Sequence, residues 1–399
     1  MVGGSYKRPA GAAPLLGVNI GAKNYDDAAY QAALARLDAI VVGFYPGWKG
    51  DTDGSVIRRA VQAMKARNPA LKVAQYTILN ETQSDPARTT NDDKIVKLDQ
   101  MNWWLRNAAG ARMAWTSTFG AYDINISEWT RTDANGDRYP QWVAKRDYLA
   151  YFKRVPEFDM QYFDNVFKQS RAGKANWRLD GVDIAGSDPA VAAAYRRAQV
   201  AHWTAASALA PGLMQIGNTD NDLSSPEYRG RLPAALLEGL MGKSWSLETW
   251  AGWRPMMQRY FDTTANLRAP ALLGFGVHGN PSDYRFFRYA FTSCLLGNGH
   301  FAYTDSANEF SSVPWFDEYE VALGNALDAS TLTAWSNGVY RRRYERAMVL
   351  VNPNAEPRTV SIEAGWRRLL ARQDPVANNG QPVSSITLAP KDGIVLVRR

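Results

Sequence analysis

The sequence predicts an α/β fold, namely a (β/α)8 TIM barrel followed by a small C-terminal antiparallel β-sandwich domain. Short apolar runs typical of buried strands recur through most of the chain, and segments with helical spacing separate them. Beyond about residue 327 the helical spacing ceases, and short alternating runs punctuated by Pro, Gly and Asn follow. With 399 residues, the chain is long enough for a barrel and one smaller domain.

Four barrel strands are predicted in the first part of the chain. They are the runs LLGVNI, AIVVGFYPGW, KVAQYTILNE and FDMQYFDNVF, which begin at residues 15, 39, 72 and 158. The segments 26–38 and 55–68 have helical spacing, and this alternation indicates parallel βα units. We interpret the less regular stretch near 84–148 as an insertion on the catalytic face of the barrel.

The other four strands are predicted at LMQIGN, PAALLEGLM, ALLGFGV and HFAYT, which begin at residues 213, 233, 271 and 300. PAALLEGLM is ambiguous, because the same residues could form a helix with Glu238 on its exposed face. With these eight strands assigned to the barrel, we predict three regions: a flexible lead over residues 1–14, the barrel over 15–327 and a β-domain over 328–399.

Composition indicates a soluble globular protein, with 46% hydrophobic and 21% charged residues. Lys and Arg (46) are interspersed with Asp and Glu (39), which gives a net charge of +7, and the basic block 341–343 is too short for a nucleic-acid interface. A basic surface suits neutral or acidic ligands better than polycationic ones. The sequence contains no apolar stretch long enough to span a membrane, so we expect neither a nucleic-acid nor a membrane partner.

The cellular location is left open by the N-terminal residues. MVGGSYKRPAGAAP lacks the apolar core of a signal peptide. A secreted or periplasmic protein whose signal peptide had been removed would begin in the same way.

Metal or cofactor chemistry is not predicted. The lone Cys294 lies in an apolar run, and the three histidines have no metal-ligand spacing. The loop NWRLDGVD places Arg178 where a calcium loop would need an oxygen ligand, so we expect Asp180 and Asp183 to accept backbone hydrogen bonds instead. Acid–base chemistry therefore falls to carboxylates, and no cofactor is required.

Two carboxylates are the candidate catalytic residues. Asp164 ends the fourth predicted strand and Glu238 lies on or just after the sixth, so they would face each other across the C-terminal mouth of the barrel. Glycosidic bond cleavage needs such a pair, because one carboxyl protonates the leaving oxygen while the other attacks the anomeric carbon or activates water. Glu81 and Asp305, which end the third and eighth predicted strands, compete with this pair as substrate ligands or as the true acid.

Further residues near predicted strand ends are expected to line the substrate site. Aromatic residues make up 12% of the chain, and their flat faces can pack against sugar C–H groups, while Tyr and Trp also offer a polar edge. The candidate substrate-binding residues are Asn19, Tyr45, Trp48, Tyr76, Glu81, Asn218, His278 and Asp305.

Four segments together resemble a known family. The runs YFDNVF, NWRLDGVD, VLVNPN and LAPKDGIVLV look like the glycoside-hydrolase-like TIM-barrel proteins known as hypothetical glycosyl hydrolase family fifteen, and the resemblance covers nearly the whole chain. Related barrels, including the α-galactosidase and polygalactosaminidase groups, carry an Asp after strand four and an Asp or Glu after strand six. The resemblance therefore implies Asp164 as nucleophile and Glu238 as acid/base in a retaining mechanism on an α-linked sugar.

These observations predict a glycoside hydrolase that cleaves an α-linked glycan or polysaccharide with two carboxylates. The alternative is a non-catalytic carbohydrate-binding barrel. This alternative would be favoured if Glu238 lay on the exposed face of a helix, and measurable turnover of a substrate would distinguish the enzyme from the binding protein. A cell-wall adhesion protein that relies on its β-domain has less support, because that domain is small and has no evident row of exposed aromatic residues.

Overall fold

A computed structural model describes residues 8–21, 24–43, 54–84, 92–219 and 223–398 of the chain. The strands, numbered along the chain, are β1 Leu16–Asn19, β2 Ala39–Val42, β3 Lys72–Ile78, β4 Glu81–Gln83, β5 Ala121–Asp123, β6 Met160–Val166, β7 Lys174–Ala175, β8 Ile184–Ala185, β9 Met214–Thr219, β10 Ala234–Met241, β11 Leu272–Gly279, β12 His300–Asp305, β13 Tyr340–Arg343, β14 Ala347–Asn352, β15 Arg358–Ser361, β16 Arg367–Arg368, β17 Ser385–Leu388 and β18 Asp392–Val397. Eight of them form the largest sheet, in the order β1-β2-β3-β6-β9-β10-β11-β12.

This eight-stranded sheet is a barrel. All of its neighbouring strands pair in parallel, and a parallel bridge between Leu15 and Phe301 joins the first strand to the last. The predicted (β/α)8 TIM barrel is therefore confirmed. The run PAALLEGLM forms strand β10, so the helical alternative for Glu238 is wrong.

Helices follow most of the barrel strands and cover their outer face. The α-helices are Ala28–Leu34, Ser55–Arg67, Asp92–Met101, Tyr139–Asp147, Pro189–Leu209, Leu247–Ala251, Trp253–Asn266 and Tyr284–Leu295, and a π-helical turn continues the fourth over Tyr148–Phe152. Asp188 caps the longest helix by accepting hydrogen bonds from the backbone N–H groups of Ala190 and Val191. Within the described parts of the chain, none of the helices has the length and apolarity needed to cross a membrane.

The stretch between β3 and β6 packs in a second apolar cluster, which includes the buried Trp103 and Trp104 and is shared with the loop after β6 and the helix Pro189–Leu209. The sequence predicted a third barrel strand that runs to Glu81, whereas β3 ends at Ile78. Glu81 instead begins β4, because its backbone pairs antiparallel with β5 rather than with a barrel strand. This pairing carries the Glu81 side chain beyond the end of the barrel.

The C-terminal part of the chain forms antiparallel sheets, as predicted, in the orders β13-β14-β18-β16 and β15-β17. Strand β14 is buried on both faces, and its side chains alternate between two cores. Met348 and Leu350 pack inside the β-domain, whereas Val349 and Val351 join the apolar layer of the barrel. The β-domain is therefore packed directly against the barrel.

A buried ion pair and one glycine mark this junction. Arg288, on the helix Tyr284–Leu295, is 6% exposed and lies 3.1 Å from Asp392 of β18. The same guanidinium group also contacts the carboxylate of Asp374. A Cβ atom at Gly393 would lie 2.0 Å from Thr292 Oγ1, so only glycine permits the strand to approach the helix this closely.

We expect Arg288→Met to lower the free energy of unfolding by about 3 kcal/mol, because it leaves the carboxylate of Asp392 buried without its partner. Urea unfolding at pH 7 measures this loss. The control is Arg197→Met, which removes an ion pair with Glu128 whose side chains are 48% and 47% exposed and should cost less than about 1 kcal/mol. Equal losses in the two variants would contradict a structural role for the junction.

Candidate active site

Strand alternation brings polar side chains into the mouth of the barrel. Three strands carry an apolar residue of the barrel interior followed, two positions later, by a polar one. These pairs are Tyr162 and Asp164 on β6, Ile216 and Asn218 on β9, and Leu236 and Glu238 on β10. The period of two therefore aims three polar side chains at one space.

A single amide nitrogen joins the two candidate carboxylates. Asn218 Nδ2 donates to Asp164 Oδ1 at 2.9 Å and to Glu238 Oε2 at 2.7 Å. The two acceptor oxygens therefore lie within about 5.6 Å of each other, the upper limit that the two hydrogen-bond lengths allow. The hydroxyl of Tyr76, stacked on Tyr162, donates to the other Asp164 oxygen at 2.6 Å. The structure thus brings Asp164, Glu238, Asn218 and Tyr76 together.

Both carboxylates lie where their strand departs from regular pairing. The register between β6 and β9 shifts between Phe163 and Val166, and Asn165 has a φ of 54°. The register between β10 and β11 shifts between Leu237 and Met241. Such bulges re-aim side chains and are common beside active sites.

Burial controls the protonation of this pair. It raises the pKa of Glu238 to about 7, and the charge of Asp164 adds to the rise while the hydrogen bond from Asn218 opposes it. Burial also raises the pKa of Asp164, but hydrogen bonds from Tyr76 and Asn218 and the charge of Arg171 oppose that rise. Because Asp164 accepts two side-chain hydrogen bonds and Glu238 one, Asp164 is better suited to remain charged and Glu238 to carry a proton.

His278, on β11, lies between Glu238 and an ion pair formed by Lys243 and Glu309. Its Nε2 is 3.9 Å from Glu238 Oε1, and its Nδ1 is 3.9 Å from Glu309 Oε1. Burial lowers the pKa of His278 to about 4, and the charge of Lys243 acts in the same direction. The imidazole is therefore neutral at pH 7, with one donor and one acceptor nitrogen, a combination that suits a sugar hydroxyl.

Glu81 belongs to a second acidic group beside the first. It accepts hydrogen bonds from the indole N–H of Trp115 and, at 3.4 Å, from Asn165 Nδ2. Its strand partner Asp123 accepts from the backbone N–H of Trp115 at 2.7 Å. Burial raises the pKa of both carboxyls to about 7, and the charge of Asp164 contributes to the rise at Glu81. These two carboxyls hold Trp115 in place through both of its N–H groups.

Two of the predicted substrate-binding residues are hydrogen-bonded elsewhere. Asn19 Nδ2 donates to the hydroxyl of Tyr30 at 2.9 Å and to the carbonyl of Ser312 at 3.0 Å. Asp305 accepts a 2.9 Å hydrogen bond from Asn308 Nδ2 within its own loop. Side chains alternate between the two faces of a strand, and both residues are one position away from the residues of β1 and β12 that face the barrel interior. The structure does not join them to the carboxylate pair by hydrogen bonds.

The remaining residues are those that the structure does not describe and those that the sequence analysis did not predict. Tyr45 and Trp48 lie outside the described residues, so their role stays a prediction. Sequence analysis missed Tyr162, although its place two residues before Asp164 on the same strand could have indicated it. From sequence, Asp123 is expected to be a solvated charge of the insertion, whereas it is buried beside Glu81 because β4 pairs with β5.

Within the described ranges, no group of three or more His, Cys, Asp or Glu side chains is arranged so that it could hold a metal ion. In the loop 176–183, Asp180 accepts the backbone N–H of Val182 at 3.0 Å, and Asp183 accepts that of Ala108 at 2.7 Å. Both aspartates therefore accept backbone hydrogen bonds, as predicted; Asp180 organises the loop itself, whereas Asp183 joins the loop to the segment that contains Ala108.

Comparison with known families defines the class of the chain. The model of a family described as hypothetical glycosyl hydrolase family 15 matches residues 65–348, well over half of the sequence. Together with the barrel fold, this match identifies an enzyme of the glycoside hydrolase class. The chain belongs to hypothetical glycosyl hydrolase family 15. A comparison with curated protein sequences gave no match.

Solved structures with a similar fold support the architecture. An alpha-amylase from Geobacillus thermoleovorans, complexed with acarbose, is 11% identical, with 98% of this chain and 99% of that chain covered and a TM-score of 0.55. The trehalulose synthase MutB from Pseudomonas mesoacidophila is 10% identical, with 98% and 99% covered and a TM-score of 0.54. Amy13B of Eubacterium rectale is 8% identical, with 98% and 96% covered and a TM-score of 0.52. At these identities the likeness shows the fold alone.

We expect Glu238→Gln to stabilise the protein at high pH. The folded chain holds the pKa of Glu238 at about 7, above its ordinary value of 4.5, so wild-type stability falls as pH rises between these values. The side chain is 29% exposed, so the advantage of the variant should grow by roughly 2 kcal/mol between pH 5 and pH 8. Urea unfolding at both pH values measures it.

Glu227→Gln is the control for this comparison. Hydrogen bonds from Arg196 hold the pKa of Glu227 below its ordinary value, so the wild type gains stability as pH rises through the acid range, and Glu227→Gln should become less stable relative to the wild type. A Glu238→Gln protein that is less stable than the wild type at pH 8 would contradict the burial argument.

Proposed function

We propose that the chain is a retaining glycoside hydrolase that cleaves an α-linked glycan, with Asp164 as nucleophile and Glu238 as acid/base. The observation that carries this proposal is the Asn218 amide group, which holds both carboxylates within hydrogen-bonding distance of one nitrogen. The resulting limit of about 5.6 Å between the two oxygens agrees with the carboxyl separation of about 5–5.5 Å in retaining enzymes, whereas inverting enzymes need about 6.5–9.5 Å.

Bond cleavage would begin with Glu238 protonated. Its proton passes to the glycosidic oxygen while an Asp164 oxygen attacks the anomeric carbon, so the leaving sugar departs and a covalent glycosyl–enzyme ester forms. The Glu238 carboxylate then takes a proton from a water molecule whose oxygen attacks the same carbon. Asp164 is released as a carboxylate and Glu238 is protonated again, which completes the cycle.

The neighbouring side chains have roles that follow from their contacts. Tyr76 and Asn218 donate to Asp164, so they stabilise its charge before attack and after release of the ester. Asn218 also donates to Glu238, which fixes the direction of the acid relative to the nucleophile. The neutral His278 can donate to or accept from a sugar hydroxyl beside Glu238.

The substrate is a carbohydrate whose charge we infer to be neutral. The net charge of +7 argues against a cationic polymer, yet it describes the whole surface rather than the mouth. Around the pair the mouth carries further carboxyls at Glu81 and Glu309, which would repel an acidic sugar. The α-linkage follows from the resemblance to the α-galactosidase and polygalactosaminidase barrels. The binding-only alternative loses its main support, because Glu238 lies on a barrel strand rather than on an exposed helix.

We expect Asp164→Asn to lower kcat/KM by about 10³-fold or more. We expect Glu238→Gln to lower it by about 10²- to 10⁴-fold. Each substitution removes one of the two required carboxyl groups. Reducing-end release from a panel of α- and β-linked polysaccharides measures the loss and identifies the linkage. Asp262→Asn is the control, since that exposed carboxylate lies on the outer helix Trp253–Asn266 and should leave activity unchanged. Activity that survives in a folded Asp164→Asn protein would move the nucleophile elsewhere, with Glu81 next to be tested.

The first product released should have the same anomeric configuration as the substrate, because two successive displacements at one carbon restore it. Proton NMR, recorded before the sugar mutarotates, distinguishes the α- from the β-anomer of the new reducing end. A product that first appears with the opposite configuration would show a single displacement with inversion. Asp164 would then act as a general base rather than as a nucleophile.

A further inference from the structure

An exposed indole ring lies beside Glu238 without a role in the chemistry described above. Trp245 follows β10 and is 55% exposed. It packs edge-on against the imidazole of His278, with ring centroids 5.7 Å apart and planes at 68°. Phe310 packs against the same imidazole, with centroids 6.0 Å apart and planes at 89°. We call Trp245, His278 and Phe310 the aromatic wall.

The aromatic wall stands on the side of the pair that carries Glu238. His278 Nε2 is 3.9 Å from Glu238 Oε1, so the wall begins at the carboxyl group to which we assign the acid role. The acid of a glycosidase lies next to the oxygen that it protonates, and that oxygen leaves with the departing sugar. The wall therefore borders the space that the leaving sugar occupies.

The chain packs the Trp245 ring against the residue directly after Glu238. A Cβ atom at Gly239 would lie 2.5 Å from Cζ3 of the indole, so the residue directly after Glu238 has no side chain and the ring occupies its place. Lys243 and Glu309 form an ion pair beside the wall, with side chains 27% and 40% exposed. A flat apolar ring with a donor and an acceptor at its edge is the usual composition of a sugar-binding subsite.

We propose that the aromatic wall is the subsite for the sugar on the leaving-group side, with Trp245 as its stacking platform. The inference rests on the proposed function, because it takes Glu238 as the acid. It implies that the enzyme recognises sugars on both sides of the bond that it cleaves. A substrate with a small leaving group would gain nothing from this subsite.

Comparison of two kinds of substrate tests the proposal. One is the oligosaccharide that the wild-type enzyme cleaves best in the linkage panel, and the other is the glycosyl fluoride of the same sugar, which leaves the subsite empty. Trp245→Ala should lower kcat/KM on the oligosaccharide by about 10- to 100-fold, because a sugar face loses its apolar contact, and should leave fluoride hydrolysis unchanged. Trp245→Phe, which keeps a smaller ring, should retain part of the activity.

Trp250→Ala is the matched control, since it removes a tryptophan that is 70% exposed on the following helix and should leave both substrates unaffected. A second readout separates the platform from any disturbance of Glu238. With the fluoride as donor and an added sugar as acceptor, glycosyl transfer needs the subsite, whereas hydrolysis does not, and both need the same base. Trp245→Ala should therefore lower the ratio of transfer to hydrolysis.

An unchanged transfer ratio together with unchanged oligosaccharide activity would overturn the subsite. So would an equal loss on oligosaccharide and fluoride. If the wild type cleaves no substrate, calorimetric titration with the panel oligosaccharides decides between the two proposals. Tighter binding by the wild type than by Trp245→Ala would uphold Trp245 as a sugar-stacking platform and overturn the hydrolytic function together with the leaving-group role of the wall, whereas equal affinity or no binding would overturn the platform as well.

Discussion

The contact on which the site depends is the double hydrogen bond from Asn218 to two partly buried carboxyl groups. Like charges at this separation repel strongly when water is excluded, and burial alone already disfavours the charged form of each. The amide nitrogen of Asn218 has two hydrogens and directs one to Asp164 and one to Glu238. It therefore offsets part of the repulsion and fixes the distance between the two groups.

The barrel makes this contact possible because three adjacent strands end at the same mouth. Strands β6, β9 and β10 are neighbours, and their regular parallel pairing extends to Phe163 with Gly217 and to Asn218 with Leu236. Asp164 and Glu238 follow these last regular pairs, and their carboxyl groups meet the amide of Asn218 there. The β-domain contributes at a distance. It packs on the helix Tyr284–Leu295, which follows the strand of His278, and the buried Arg288 ties that helix to β18. Rigid support of this kind is what an acid and a nucleophile need to keep their spacing.

Much of the fold could be predicted from sequence because parallel barrel strands are buried on both faces and leave apolar runs in the chain. Local composition could not decide whether PAALLEGLM was a strand or a helix, since only the partners β9 and β11 make it a strand. The central residues Asp164, Asn218 and Glu238 were also predictable, as polar positions at strand ends. Counting in steps of two along each strand, from the residues that face the barrel interior, would have shown that these three residues face the interior as well, whereas Asn19 and Asp305 do not. Asp123 and Trp115 were beyond such reasoning, because the pairing of β4 with β5 alone brings them to Glu81.

Protonation alone does not distinguish the acid among the carboxyls of the mouth. Burial raises the pKa to about 7 at Glu81, Asp123 and Glu238 alike, so each could donate a proton near neutral pH. Their contacts separate them. Glu81 and Asp123 accept hydrogen bonds from Trp115 and thereby hold a segment of the chain in place. Glu238 shares its hydrogen-bond donor with Asp164, which we propose as the nucleophile, and its Oε1 lies toward His278, so its contacts fit the proposed acid role better than those of Glu81 and Asp123.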